Sequence, residues 1–227
     1  MHDDALLDLD QVADGAAFQL SDTLTAFRVP KHSFRKGNTY ALSRPEGVIL
    51  VDAVHKVTAM ALNQHLAGRK VLALLLTHRD LLTQSFGPPA LLRHCFGGAP
   101  VLIHKADAMQ PGLIKLEDAA ELLAQLGVQY YPIPGHTPGS VVYRTVPEQL
   151  LFVGDAAVGR PYGSDPQTID FSHPPIAAQD WEAYVAGWAS IPEPAAAVLP
   201  LHGRPVFGDK SLVRARTAAT TQGNQMN

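Results

Sequence analysis

A layered α/β fold is what this sequence predicts, and three observations predict it. Apolar runs of strand length alternate with helical patterns along most of the 227 residues. Two of those runs, GVILVDA from Gly47 and KVLALLLT from Lys70, have no polar residue at their centre, the mark of strands covered on both faces. Several of the strand-like runs end directly on a histidine or an aspartate. No linker divides the chain, so it reads as one domain over 1–227, with its core at about 17–217 and a frayed tail at 218–227.

In chain order, 17–28, 38–43 and 47–52 read as strands. Residues 56–67 suit a helix that Gly68 is placed to end. Residues 70–77 form a buried strand, 88–96 a helix opened by Pro88 and Pro89, and 100–104 another short strand. The good helix formers of 115–126 are followed by Gly127 as a C-cap. Strands follow at 128–133, 139–145 and 149–154. The stretch 156–176, rich in Gly, Pro, Ser and Asp, reads as a long loop. A helix at 177–190, a strand at 195–200 and a short helix near 209–217 complete the pattern. Pattern alone does not separate a sandwich of two sheets from one doubly wound sheet.

Composition narrows the function. With 46% hydrophobic and 17% charged residues the chain is globular. A net charge of −3 gives no electrostatic footprint for nucleic acid. No apolar run approaches the roughly 20 residues that span a bilayer. The first residues, MHDDALLDLDQ, are acidic where a secretory signal is basic. The single cysteine, Cys95, suits a reducing compartment and reads as a small core residue. A cytoplasmic protein acting on a small molecule, without nucleic-acid or membrane partners, is the expectation.

Four segments place a ligand-type side chain directly after an apolar strand: LLLTHRD (His78, Asp80), PGHTPGS (His136), LFVGD (Asp155) and VLPLHG (His202). A polar group at a strand end can project into a cleft while the strand stays rigid. Imidazole and carboxylate are natural ligands of Zn²⁺ or Fe²⁺. Each residue also has a purely structural alternative. His78 could cap a strand–helix junction, Asp80 could N-cap the next helix, GHTPGS could be only a tight turn, and Asp155 could serve the turn after its strand. His94 and His104 read as half-exposed structural residues.

The order of these segments over about residues 17–205 resembles the metallo-β-lactamase superfamily. GHTPGS is similar to the third motif of its glyoxalase-II-like branch. The resemblance implies a four-layer αββα sandwich. It implies His78, Asp80, His136, Asp155 and His202 as metal-site residues, with Asp155 and His202 also in catalytic roles. Asp52, matching an aspartate that ends an early strand, would orient the site from behind. His32 and His173 would belong to the substrate rim.

The chain departs from the family at its most diagnostic motif, T-H-x-H-x-D-H. Read without gaps, Asp80 replaces the second histidine, while Leu82 and Thr83 replace the second metal's aspartate and histidine. With two residues deleted, Asp80 replaces the aspartate and Leu81 the last histidine. A variant branch with T-H-R-D-D-V-x-D-H offers a third alignment, against T-H-R-D-L-L-T-Q-S here. Under every alignment at least two ligands are apolar or weakly coordinating. The expectation is at most one zinc or iron per chain, or none. The expected activity is a hydrolase-like one on a small ester or thioester, with a non-catalytic descendant that binds a ligand or partner in the old cleft as the alternative.

Overall fold

The structure, a computed structural model, describes residues 11–32, 35–85, 87–165, 167, 170–172 and 180–226. One sheet has seven strands in sequence order: β1 (Ala17–Gln19), β2 (Leu24–His32), β3 (Arg35–Arg44), β4 (Gly47–Val51), β5 (Val71–Leu75), β6 (Val101–Ile103) and β7 (Ile114–Lys115). From β1 to β4 the pairing is antiparallel, and from β4 to β7 it is parallel. Parallel neighbours need a crossover. Here α1 (Ala59–Leu66) joins β4 to β5, and α2 (Leu81–Gln84) with α3 (Pro89–Cys95) joins β5 to β6. After β7, α4 (Ala120–Leu126) leads into β8 (Val128–Pro132), β9 (Val141–Thr145) and β10 (Leu150–Gly154). A two-stranded ribbon, β11 (Val158–Gly159) and β12 (Phe171–Ser172), precedes α5 (Trp181–Ser190). The chain then runs through β13 (Ala197–Pro200), β14 (Val206–Phe207) and α6 (Ser211–Met226). The second sheet has the order β14-β13-β10-β9-β8.

The period of two along each central strand divides its side chains between two layers. Ile49, Val51, Ala73 and Leu75 of the first sheet meet Val141, Tyr143, Leu150, Phe152 and Leu199 of the second in a shared core. Their neighbours Val48, Leu50, Leu74 and Leu76 point the other way, onto Leu62 and Leu66 of α1 and Leu92 of α3. On the far side, Val142, Leu151, Val153 and Val198 pack against Trp181, Tyr184 and Trp188 of α5 and Leu212 and Ala215 of α6. The arrangement is helix, sheet, sheet, helix. It explains why β4 and β10 are apolar throughout: both faces are buried.

Several boundaries differ from the sequence reading. The run 17–28 is two strands, because Ser21 Oγ accepts the Leu24 N–H and a turn forms where one strand was expected. The loop 156–176 carries the ribbon β11–β12. The tail read as frayed continues α6 to Met226. Ala215 and Ala219 are buried there, and Gly223 lets the helix lie close to Val185 of α5. Cys95 is exposed at the end of α3, since its neighbour Leu92 takes the inward position. No helix among the described residues is long and apolar enough to cross a membrane.

Candidate metal centre

The candidate site forms where the C-terminal ends of β4, β5, β10 and β13 open between the two sheets. Its foundation is Asp52, buried immediately after β4 in a left-handed conformation (φ 54°). The backbone N–H of Thr77 donates to Asp52 Oδ1 at 2.9 Å, and the Thr77 hydroxyl donates to Oδ2 at 2.8 Å. Thr77 Oγ1 also lies 3.0 Å from His78 Nδ1. With the Thr77 proton committed to Asp52, His78 Nδ1–H is the donor in that contact, so the lone pair of Nε2 faces the cleft. Burial, then the neighbouring imidazoles of His136, His202 and His55, holds His78 well below the usual histidine range. It is therefore neutral at pH 7, the form that binds metals. Burial pushes Asp52 the other way, up to about 7, against the two hydrogen bonds from Thr77.

Asp155 arrives beside Thr77 because residue 154 is glycine. A Cβ on Gly154, at φ +52°, would stand 2.2 Å from Thr77 Oγ1. Asp155 Oδ2 then lies 3.7 Å from His78 Nε2, 3.6 Å from His136 Nε2 and 3.7 Å from His202 Nε2. Asp80 Oδ2 is 3.3 Å from His136 Nε2. Ligand atoms about 2.1 Å from one tetrahedral ion stand about 3.4 Å apart, close to these spacings. His78, Asp80 and His136 each offer a ligand atom within 4.8 Å of the others. The His78 and His136 rings meet edge to face, with centroids 4.7 Å apart.

Each side chain has its own support. Asp80 sits at the N-cap position of α2 but makes no side-chain cap bond, and its carboxylate turns toward His136. The GHTPGS turn is closed by Thr137 N–H donating to Ser140 Oγ at 2.9 Å. His202 follows β13 on a loop braced by the β2–β3 hairpin: Tyr40 donates to Pro200 O, and Asn38 Nδ2 to Gly203 O. Gly37 pairs with His202 itself. Leu82 is buried in the outer core, whereas Thr83 is exposed and donates to the Asp80 carbonyl. Neither adds a ligand beside Asp155 and His202.

The structure thus brings together His78, Asp80, His136, Asp155 and His202, with Asp52 directly behind. His32 ends β2, but its side chain and the whole of His173 lie outside the described residues. His104 caps a 3₁₀ helix, Lys105–Asp107, and pairs with Glu117. Two residues were missed by sequence reasoning. His55, buried after β4, is near enough to depress His78. Asp107, fully buried, accepts from Arg79 N–H, Thr137 Oγ1–H and Gly139 N–H. His55 stands three residues after Asp52, a signal that could have been read. Asp107 gave none, because an acid in a 3₁₀ turn ordinarily faces water. The donor set, its spacing and the neutral state of His78 all fit a divalent cation.

Comparison with known proteins agrees with the fold. Comparison with curated proteins gives no match. Among solved structures, a metallo-beta-lactamase from Pontibacter korlensis is 16% identical with a TM-score of 0.62, covering 91% of this chain and 99% of its own. One from Erythrobacter litoralis is 19% identical with a TM-score of 0.63, covering 92% and 95%. VMB-1 is 14% identical with a TM-score of 0.64, covering 91% and 96%. At these identities the likeness is one of fold. The sequence model of the metallo-beta-lactamase superfamily matches residues 87–203, more than half of the chain, and with its αββα layers this chain belongs to that superfamily.

Proposed function

We propose that the protein is a hydrolase of small esters or thioesters that holds one divalent metal ion per chain. The observation that carries this is the convergence of His78, His136 and Asp80 with Asp155 at 3.3–3.7 Å. His78, Asp80 and His136 would hold the ion, leaving its fourth position to a water beside Asp155. When bound, zinc or iron supplies Lewis acidity, lowering the pKa of a water to roughly 7 and polarising a carbonyl oxygen. Asp155 Oδ2 would hold that water's proton, and His202 Nε2, 3.7 Å from Asp155, would pass a proton to the leaving group. Asp80, with its side chain 44% exposed, marks the open side by which substrate enters. The glyoxalase-like GHTPGS turn is the support for an acyl substrate, and a net charge of −3 speaks for a small molecule over nucleic acid. Cytoplasmic placement belongs to the same proposal and rests on the single cysteine.

A second reading is supported by the burial of Leu82 and the exposure of Thr83, which leave the second ligand set incomplete. On that reading the chain is a non-catalytic member that binds a small ligand or partner in the cleft. Metal analysis of protein purified without chelator, together with ester and thioester turnover, separates the two. Close to one zinc or iron per chain, with turnover lost in chelator, is expected. Metal-free protein whose stability chelator leaves unchanged would select the non-catalytic reading, and two firmly bound ions would refute both. β-Lactam hydrolysis is expected to be undetectable, because nothing at Leu82 or Thr83 supports a second ion at the leaving nitrogen. Turnover of a chromogenic cephalosporin above the buffer rate would count against this ligand assignment.

A further inference from the structure

We infer that Asp107 is a positioning residue that sets the spacing of the metal ligands by locking the His78–Asp80 loop to the His136 turn. The inference rests on the one-metal reading above. The two ligand segments belong to different sheets: residues 78–80 follow β5, and His136 precedes β9. Their relative position therefore depends on what joins them across the sandwich. Asp107 makes that join with both carboxylate oxygens. Oδ2 accepts the Arg79 N–H at 3.0 Å and the Thr137 hydroxyl at 2.5 Å, and Oδ1 accepts the Gly139 N–H at 3.0 Å. The Arg79 guanidinium stands 4.0 Å from Oδ1.

Every donor lies within three residues of a ligand: Arg79 between His78 and Asp80, and Thr137 and Gly139 just after His136. The fit is tight. A Cβ on Gly139 would come within 2.7 Å of three Asp107 atoms, so the turn presses its backbone directly on the carboxylate. Asp107 is fully buried, and these three donors satisfy a charge that would otherwise be costly there. Metal bonds tolerate only about 0.2 Å of error, so a join of this kind acts directly on affinity. Groups that orient ligands from behind typically change metal affinity by about 10–100-fold.

Asp107→Asn keeps the shape but replaces one acceptor by an amide N–H. Turned so that its oxygen serves Gly139, the amide can donate to Thr137 Oγ1, but it then faces the Arg79 N–H, donor against donor. The test uses the full-length protein. Zn²⁺ affinity is measured against a chromophoric chelator, the visible bands of the Co²⁺ form are recorded, and the metal-free protein is melted.

The expected result is a loss of about 10–100-fold in Zn²⁺ affinity with altered Co²⁺ bands, in a variant that still melts cooperatively. Should Asp107→Asn fail to fold, Thr137→Val removes one of the three bonds and is expected to cost about tenfold. Parental affinity and Co²⁺ bands in Asp107→Asn, or in Thr137→Val where that variant is the one tested, would overturn the inference while leaving the one-metal reading intact. A parent protein that holds no metal would overturn that reading, and this inference with it.

Discussion

His136→Ala is expected to abolish stoichiometric metal binding, whereas His202→Ala is expected to retain most of it. His136 Nε2 stands 3.3 Å from Asp80 and 3.6 Å from Asp155, and its ring packs against His78, so it touches every other member of the better preserved site. Four-ligand zinc sites gain about 10–16 kcal/mol, or roughly 3 kcal/mol per ligand. At about 1.4 kcal/mol per tenfold, losing one costs about a hundredfold in affinity or more. His202 Nε2 stands 3.7 Å from the same Asp155 Oδ2, but it lies outside the group of His78, Asp80 and His136 whose ligand atoms converge within 4.8 Å. Its removal is expected to weaken metal by less than about tenfold. Turnover should behave differently: a proton donor near the leaving group contributes about 10²–10⁴-fold, and His202→Ala should lose that much while keeping its ion. Dialysis against buffered zinc followed by elemental analysis measures the first effect, and ester hydrolysis the second. Equal metal loss in the two variants would mean that both histidines serve one shared site and that the division drawn here is wrong.

The parts of this molecule that could be read from its sequence are those where local pattern and burial coincide. GVILVDA and KVLALLLT are apolar on both faces because helices cover one side of the first sheet and the second sheet covers the other. Three of the four motifs were visible because the ligand follows a buried strand, whereas His136 follows the half-exposed β8 and was visible through its GHTPGS turn. Residues whose role depends on a distant segment were not visible. Asp107 lies in a 3₁₀ turn after β6, and its burial comes from the GHTPGS turn 30 residues later pressing onto it. The tail of α6 has weak helix formers such as Thr, Gly and Asn, and it is helical because its small residues face α5. The alignment of the damaged motif was open in the sequence. In the structure Asp80 points at His136, the relation that the ungapped alignment implies for its replaced histidine.

That alignment suggests a repair, Leu82→Asp with Thr83→His, and the expected outcome is failure. Under the ungapped alignment these two positions would supply the second ion's carboxylate and imidazole, joining Asp155 and His202. The local structure opposes this at both positions. Leu82 is 8% exposed and packs in the outer core that also holds Leu62, Leu92 and Leu201. An aspartate there loses the leucine's packing and sets a carboxylate among aliphatic side chains. A buried charge without a partner costs about 3–5 kcal/mol, and loss of a buried leucine contributes on a similar scale. Thr83 is exposed, and its hydroxyl donates to the Asp80 carbonyl at 2.7 Å, which ties it to the first turn of α2. A histidine there also gives up that bond. Metal binding could offset the cost only if α2 rotated to bring both new side chains toward Asp155, and that rotation would carry Leu81, fully buried, out of the same core. The double variant should therefore melt well below the parent, with no recovery on adding zinc and no second equivalent of metal. A variant that instead binds close to two ions, and is stabilised by zinc beyond the parent, would show that α2 can turn and that this outer core tolerates the charge.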